Sequence, residues 1–198
     1  MSQSSPPDHI TAERWKQLIA AGDEQAFRRM FNAYAPRLTA FAFSITRNKE
    51  ISIEILDEVF IKIWKHKERL PAIVNITTYL YTATKNTAFN FLSQKTKEHY
   101  VEAFDFINIE LGDETRPDQL LITSEIQAKI KKAGEGLPPK CKVIFKLVRE
   151  DGLKYRDVAE ILSISEKTVD AQMVIAVKRI GDAVGRYFDY FPARFQKK

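Results

Sequence analysis

The sequence is poor in the residues on which disulfide, metal and catalytic architectures depend. Its 198 residues include one cysteine, Cys141, and three histidines, which lie in unrelated segments. A single cysteine cannot form an intramolecular disulfide or a thiolate cluster, so disulfide-stapled scaffolds and zinc ribbons or fingers are excluded. The sequence also lacks a glycine-rich phosphate loop and the motifs H-E-x-x-H and G-x-S-x-G. An enzyme is therefore disfavoured, and neither a metal nor another cofactor is expected.

Long apolar runs and low-complexity segments are missing as well. Nowhere do about eighteen apolar residues follow one another, and residues 1–8 are polar and interrupted by proline, unlike a signal peptide. Seven glycines and eight prolines exclude a collagen-like chain, and 44% hydrophobic residues argue against disorder. We expect a globular protein of the cytoplasm without membrane insertion.

The formal charge of +5 is unevenly distributed along the chain. Residues 1–97 carry 14 basic and 9 acidic side chains, residues 98–125 carry 1 and 8, and residues 126–198 carry 16 and 9. Two basic blocks separated by an acidic one indicate a polyanion bound at two places, most simply nucleic acid. Solvated helix faces would give the same excess, so the charge alone leaves both interpretations open.

Apolar residues recur at three- and four-residue steps through most of the chain, which is the spacing of a buried helix face. The pattern predicts a helix over 26–45 that Pro36 bends or divides, a helix over 51–64, and a third that Thr77 or Thr78 caps. The periodicity resumes near residue 124, and no segment alternates as a strand does. The sequence therefore predicts an all-α fold.

The helical segments fall into two small domains. Residues 98–123 lose the periodicity, gather acidic charge and contain Gly112 and Pro117, as a flexible linker does. The expected domain order is a polar tail and helix start at 1–19, a first domain at 20–97, the acidic linker at 98–123, a second domain at 124–186, and an aromatic, basic tail at 187–198. The tail either packs on the second domain or offers a surface to a partner.

The second domain has the proportions of a helix-turn-helix. A short helix over 155–162, a three-residue turn and a longer helix follow one another, with Ser165 as the N-cap and the small Ala159 near the helix crossing. An ordinary helical hairpin is the alternative interpretation. In a recognition helix some side chains reach phosphates and others reach base edges in the groove. We expect the phosphate contacts from Lys167, Thr168 and Lys178, and the groove contacts from Ala171, Gln172 and Ile175.

Both halves together resemble an extracytoplasmic-function (ECF) sigma factor, the compact type of bacterial RNA polymerase sigma subunit that keeps only the second and fourth conserved regions. For the second region the resemblance rests on EILDEVFIKIW at 54–64 and YLYTATKNTAFNFL at 79–92. For the fourth region it rests on LPPK at 137–140, followed by the helix-turn-helix. The resemblance covers roughly residues 20–190.

The resemblance implies a division of labour and three partners: core RNA polymerase, promoter DNA and an anti-sigma factor. The helix over 54–64 corresponds to the part that docks on core polymerase, and the segment 71–92 to the part that melts and holds the minus-ten element. The fourth region corresponds to the reader of the minus-thirty-five element. No small-molecule substrate is implied.

Candidate residues follow for the first two of these sites. The polymerase contact would use the polar side chains of Glu54, Asp57, Glu58 and Lys62. The minus-ten contact needs aromatic rings for stacking and polar or basic groups for the backbone, which are supplied by Asn75, Tyr79, Tyr81, Lys85, Asn86 and Phe89. Packing between helices is an equal alternative for Tyr81.

The sequence departs from the family pattern in the recognition helix and leaves one alternative function open. Ala171, Val174 and Ile175 stand where polar side chains are usual, and they leave the minus-thirty-five preference undetermined. The alternative function is a dimeric helix-turn-helix regulator that acts without binding core polymerase. Such a regulator would need a dimer surface or a sensor domain.

Overall fold

A computed structural model describes residues 9–96 and 124–184. The regular elements in these two ranges are all helical, which confirms the all-α prediction for the described residues. The linker expected at 98–123 and the tail expected at 187–198 lie outside them. In chain order the elements are α1 (His9–Ala20), α2 (Glu24–Thr46), α3 (Lys49–Lys65), a 3-10 helix (Lys67–Ala72), α4 (Ile76–Thr96), α5 (Ser124–Glu135), α6 (Pro139–Phe145), a π-helical turn (Lys146–Glu150), α7 (Tyr155–Leu162) and α8 (Glu166–Val184).

Contacts between Cα atoms divide the chain into two compact units. The first unit contains α1 to α4, and the second contains α5, α6, the start of α7, and α8. None of the helices that the structure describes is both long and apolar enough to cross a membrane.

In the first unit, α2 packs against α3 and α4, and its N-terminus is capped by Asp23, whose side chain accepts a hydrogen bond from the Ala26 amide. Pro36 was expected to bend or divide this helix, and division is wrong, because α2 runs through Pro36 without a break. Tyr34 and Leu38, on either side of Pro36, are fully buried. Tertiary packing of this face keeps the helix intact despite the hydrogen bond that proline removes.

The N-cap of α4 is Asn75, not Thr77 or Thr78 as the sequence suggested. The Asn75 Oδ1 accepts a hydrogen bond from the Thr78 amide at 3.1 Å, and the helix begins at Ile76. Thr78 is buried one turn into the helix. Asparagine and threonine are both good caps, so position relative to the core decided between them.

Helix α1 begins at His9 and so covers residues 9–19 of the segment 1–19 that we expected to be a polar tail and helix start. It packs against the 3-10 helix and α2, and it buries Ala12, Lys16 and Ile19. The polar composition of this segment had concealed a helix with a narrow buried face. Lysine has a long apolar stem, so a helix can bury one without appearing amphipathic in sequence.

In the second unit, α8 packs against both α5 and α6. The three- and four-residue spacing of apolar side chains in α8 predicts an inward face, and every member of it is buried: Val169, Met173, Ala176, Val177 and Ile180. This burial leaves the opposite side of α8 to face solvent. The residues that the structure describes therefore pack against one side of α8 only.

A cluster of buried charged side chains lies in the segment between α6 and α7. The Lys146 Nζ donates to Glu150 Oε2 at 2.9 Å and lies 3.5 Å from Asp151 Oδ1. Burial disfavours the ammonium, but the charges of Asp151 and Glu150 outweigh that effect and raise the pKa of Lys146. Gly152 follows with a φ of +71°, a conformation that glycine adopts at little cost, and turns the chain towards α7.

Candidate nucleic-acid interface

The turn between α7 and α8 has the hydrogen bonds of a helix-turn-helix. The Ile164 amide donates to the Ala159 carbonyl at 2.9 Å, and Ser163 has a φ of +55°. Ser165 Oγ accepts from the Thr168 amide at 3.0 Å, which confirms the predicted N-cap of α8. Because all of these contacts are local, a short stretch of sequence fixes how α8 begins.

The solvent side of α8 carries the side chains expected to contact DNA. Lys167, Ala171, Ile175 and Lys178 are exposed, while Thr168 and Gln172 are half-buried. The exposed members follow three- and four-residue steps along one side of the helix, with a lysine near each end and apolar groups between them. Val174, which the sequence analysis named as a departure from the family pattern but not as a contact residue, is also exposed beside Ile175. Its position off the buried stripe of α8 was the available signal.

The middle of α8 is tied to α6 through Cys141. The Cys141 thiol donates to the Gln172 carbonyl at 3.2 Å, and the cysteine is fully buried. Burial raises the pKa of Cys141 to about 11, against a smaller opposing effect of the Arg179 charge. The thiol is therefore a packing group at neutral pH and not a nucleophile.

Tyr155, at the start of α7, lies in the electrostatic field of both neighbouring segments. Partial burial raises the pKa of its phenol, the Asp170 carboxylate adds to this rise, and the Arg149 charge opposes it. The phenol therefore remains neutral at physiological pH. Asp170 lies at the edge of the exposed face of α8. After Glu166, it is the acidic residue nearest to the N-terminus of α8.

The minus-ten candidates of the first unit divide into exposed and buried groups. Asn75, Tyr79 and Asn86 are exposed, with 42% of Tyr79 accessible, and Phe89 is half-buried. Val74, which sequence reasoning missed, is 87% exposed in the loop before α4. The exposed members thus combine an apolar side chain, an aromatic ring and two amides. Such groups can contact unstacked bases.

Tyr81 and Lys85 are not on that surface. Tyr81 is 1% exposed, and its ring lies 5.2 Å from the ring of Phe41 in the core of the first unit. Lys85 is also buried, and burial lowers the pKa of its ammonium. Tyr79 and Tyr81 lie two residues apart on one helix and therefore point in very different directions.

The polymerase candidates lie on the outward side of α3. Glu54, Asp57 and Lys62 are exposed, and Glu58 is half-buried and pairs with Lys62 one turn later. Two apolar side chains that sequence reasoning missed lie among them: Ile53 and Ile61 are 45% and 53% exposed. Both fall off the buried stripe of α3, and this was the signal in the sequence. The face therefore mixes charge with apolar area, as protein interfaces do.

An aromatic cleft lies between the start of α2 and the end of α3. It is an open cavity of about 390 Å³ lined by Phe27, Phe31 and Trp64, together with Glu24 and Arg28. The Lys67 ammonium lies 4.9 Å from the centre of the Trp64 ring, a cation–π contact. The rings of Phe27 and Trp64 lie 5.0 Å apart and reinforce the α2–α3 packing.

Two family models match the chain, and both describe parts of sigma-70 factors. The model for sigma-70 region 2 matches residues 30–98, and the model for sigma-70 region 4 matches residues 127–180. The first match begins within α2 and includes α3 and α4, so α1 lies outside it. The second match includes α7 and most of α8.

Full-length relatives show the same likeness. The chain is 23% identical over 184 residues to the ECF RNA polymerase sigma-E factor of Haemophilus influenzae, covering 89% of this chain and 97% of that protein. It is 23% identical to the ECF RNA polymerase sigma-E factor of Escherichia coli K12 over 184 residues, covering 89% and 94%.

Solved structures support the fold. CnrH in complex with the cytosolic domain of CnrY matches with a TM-score of 0.54 at 14% identity, covering 86% of this chain and 94% of that one. The sigma factor RpoE in complex with the anti-sigma factor NepR, from Bartonella quintana, matches with a TM-score of 0.53 at 20% identity, covering 80% and 96%.

Proposed function

The chain is an ECF sigma factor of the sigma-70 family, and from this membership we propose how its surfaces divide the work of starting transcription. It binds core RNA polymerase through α3, holds the melted minus-ten element on the loop before α4 and on α4 itself, and reads the minus-thirty-five element with α8. The observation that carries the proposal is that sigma-70 regions 2 and 4 occur in one chain, each with an exposed polar face. We propose that the chain has no enzymatic activity of its own. We also propose that it acts in the cytoplasm, where bacterial RNA polymerase and the chromosome are.

The outward side of α3 suits a protein partner better than DNA. Three of its exposed or half-exposed side chains are acidic, and they would repel phosphates: Glu54, Asp57 and Glu58. Ile53 and Ile61 add apolar area that a protein surface can cover. We therefore assign core polymerase to this side of α3, with Lys62 setting the charge pattern at its edge.

The minus-ten surface suits unpaired bases. Tyr79 offers a ring for stacking, which contributes about 1 to 3 kcal/mol per base in other single-strand binders. Asn75 and Asn86 offer amide groups for base edges or backbone, and Val74 offers an apolar wall. Phe89 extends the surface one further step along α4. The buried Tyr81 and Lys85 are left out of this proposal.

The minus-thirty-five surface combines phosphate binding with apolar contact in the groove. Lys167 and Lys178 lie near the two ends of the exposed face and suit phosphates, and Thr168 and Gln172 flank it. Between them Ala171 and Ile175 are apolar. In the major groove the apolar feature of a base pair is the thymine methyl group. We therefore propose that thymine methyls are read at the centre of this site.

The neighbouring structures suggest a further partner. Both CnrH and RpoE are described in complexes, RpoE with an anti-sigma factor. We propose that this chain also has a protein inhibitor of that kind.

Transcription with reconstituted polymerase tests the proposal. The full-length chain, core RNA polymerase and a library of promoter-sized duplexes should yield transcripts from a subset with two shared elements. Failure to bind core polymerase, combined with dimeric binding to a palindrome, would instead establish the regulator. Replacing thymine by deoxyuridine at each minus-thirty-five position should weaken binding about two- to fivefold where a methyl is read, as expected for one buried methyl group. Ile175→Ala should reduce that methyl effect.

A further inference from the structure

The first unit buries a lysine whose contacts reach the loop before α4. Lys16, on α1, is 1% exposed. Its Nζ donates to the Ile73 carbonyl, 57 residues away in sequence, and pairs with Glu13 Oε1 at 2.7 Å. Burying an ammonium is unfavourable unless its charge and donors are matched, so these two contacts are what make the burial tolerable.

The carbonyl group that Lys16 binds belongs to Ile73, which directly precedes the exposed residues of the loop before α4. The next residue is Val74, the most exposed apolar side chain that the structure describes, and Asn75 follows it. Beyond them the start of α4 is held by a second long-range contact, a 2.7 Å hydrogen bond between the hydroxyls of Tyr34 and Thr77. The loop thus has one anchor before its exposed residues and one after them.

Packing alone does not call for a lysine at position 16. An apolar side chain would fill the same space between α1 and the 3-10 helix without desolvating a charge. What the ammonium adds is a directional bond to one backbone oxygen, next to the proposed minus-ten surface. The match to the sigma-70 region 2 model begins at residue 30, after Lys16.

We propose that Lys16 is a positioning residue for minus-ten recognition. By binding the Ile73 carbonyl, Lys16 fixes the orientation of the backbone at Val74 and Asn75. It thereby helps to determine which base the loop binds. The proposal rests on the proposed function of this loop. Discrimination between bases requires a loop held in one geometry, because a mobile loop adapts to several bases and pays ordering entropy for each.

Base selection by the holoenzyme tests the proposal. Holoenzyme made from the full-length chain and core RNA polymerase selects from a pool of single-stranded oligonucleotides with a short randomised window, and the bound fraction is sequenced. Lys16→Met keeps the stem and removes the donor. Glu13→Gln keeps the bond to Ile73 and removes the ion pair. Ile19→Ala, on the same helix, creates a cavity at a fully buried position and leaves both polar contacts of Lys16 in place.

We expect Lys16→Met to reduce the preference for the favoured base at one or two positions of the window by about tenfold, in line with loss of a charged hydrogen bond. Core binding and binding to minus-thirty-five duplexes should stay within about twofold of wild type. Glu13→Gln and Ile19→Ala should keep the wild-type preference. If Lys16→Met does not fold, Lys16→Leu, which is shorter and also lacks a donor, takes its place.

Two results overturn the proposal in distinguishable ways. An unchanged base preference in Lys16→Met, or an equal change in Ile19→Ala at a similar loss of stability, shows that Lys16 only supports the fold. Absence of any base preference in wild-type holoenzyme overturns the assignment of the minus-ten surface itself, and the role of Lys16 with it.

Discussion

The two units present their candidate DNA surfaces by different means. In the second unit α8, the proposed recognition helix, begins at the cap that Ser165 forms with Thr168, and the turn before it is closed by a hydrogen bond to Ala159 of α7. In the first unit the loop before α4 is fixed by contacts that span 57 and 43 residues of sequence. A surface of the first kind can be recognised from a short motif. A surface of the second kind depends on the whole unit being folded.

The largest expected effect on stability distinguishes the buried tyrosine of α4 from the exposed one. Tyr81→Ala should destabilise that unit by about 3 to 5 kcal/mol, because it removes a fully buried ring that packs on Phe41. Tyr79→Ala should cost less than about 0.5 kcal/mol and instead weaken minus-ten binding. Both tryptophans, Trp15 and Trp64, belong to the first unit, so tryptophan fluorescence during urea unfolding reports on it alone. Equal stability of the two variants would contradict the assignment.

The two N-caps provide a matched test across the units. Ser165→Ala and Asn75→Ala should each cost about 1 kcal/mol, since each leaves a helix amide without its partner. Aspartate at either position should restore stability, because its carboxylate also caps a helix. At position 75 it should not restore minus-ten binding, because the carboxylate repels phosphates and lacks the amide donors. Full recovery of binding in Asn75→Asp would limit Asn75 to capping.

Alkaline pH should weaken the second unit through Cys141. Burial raises the folded-state pKa of this thiol from its ordinary value of 9.0 to about 11. The unfolded chain therefore loses this proton first, and stability contributed by the neutral thiol is lost as pH rises from about 9 towards 11. Lys146, whose pKa is also raised, loses its contribution as the pH rises above its ordinary value of 10.5 and the ammonium is neutralised. Urea unfolding followed by circular dichroism measures how the stability of the second unit changes with pH, because both tryptophans lie in the first unit. Cys141→Ala should reduce this change between pH 9 and 11.

The smallest effect on stability is expected at the outward side of α3. Lys62→Ala removes an exposed ion pair with Glu58 and should change stability by less than about 0.5 kcal/mol. Ile61→Ser, one residue before it, should be similarly neutral for the fold, yet it should weaken binding to core polymerase. Native gel titration of core polymerase measures this. Undiminished binding in Ile61→Ser would place the polymerase contact elsewhere.

The fold class and most of the second unit could be predicted from the sequence. The helix-turn-helix has local capping and a clear apolar stripe, and its predicted cap and buried face are both confirmed. The first unit was harder, because α1 reads as polar and α4 carries threonines and a tyrosine in its buried positions. The exposed isoleucines of α3 and the exposed Val74 were missed, since single apolar residues are common at protein surfaces and their position off a buried stripe does not by itself mark an interface.

The sequence alone determined which segments are helical, in which order the two sigma regions follow, and which residues share a helix face, because these depend on spacing and on local hydrogen bonds. Only the tertiary structure decided what covers each face. Tyr79 and Tyr81 are identical in chemistry, yet α2 buries one and leaves the other exposed. Lys16 looked like an ordinary surface lysine until its contacts with Glu13 and the Ile73 carbonyl were known. Burial and pairing between distant residues arise from packing, and no local pattern encodes them.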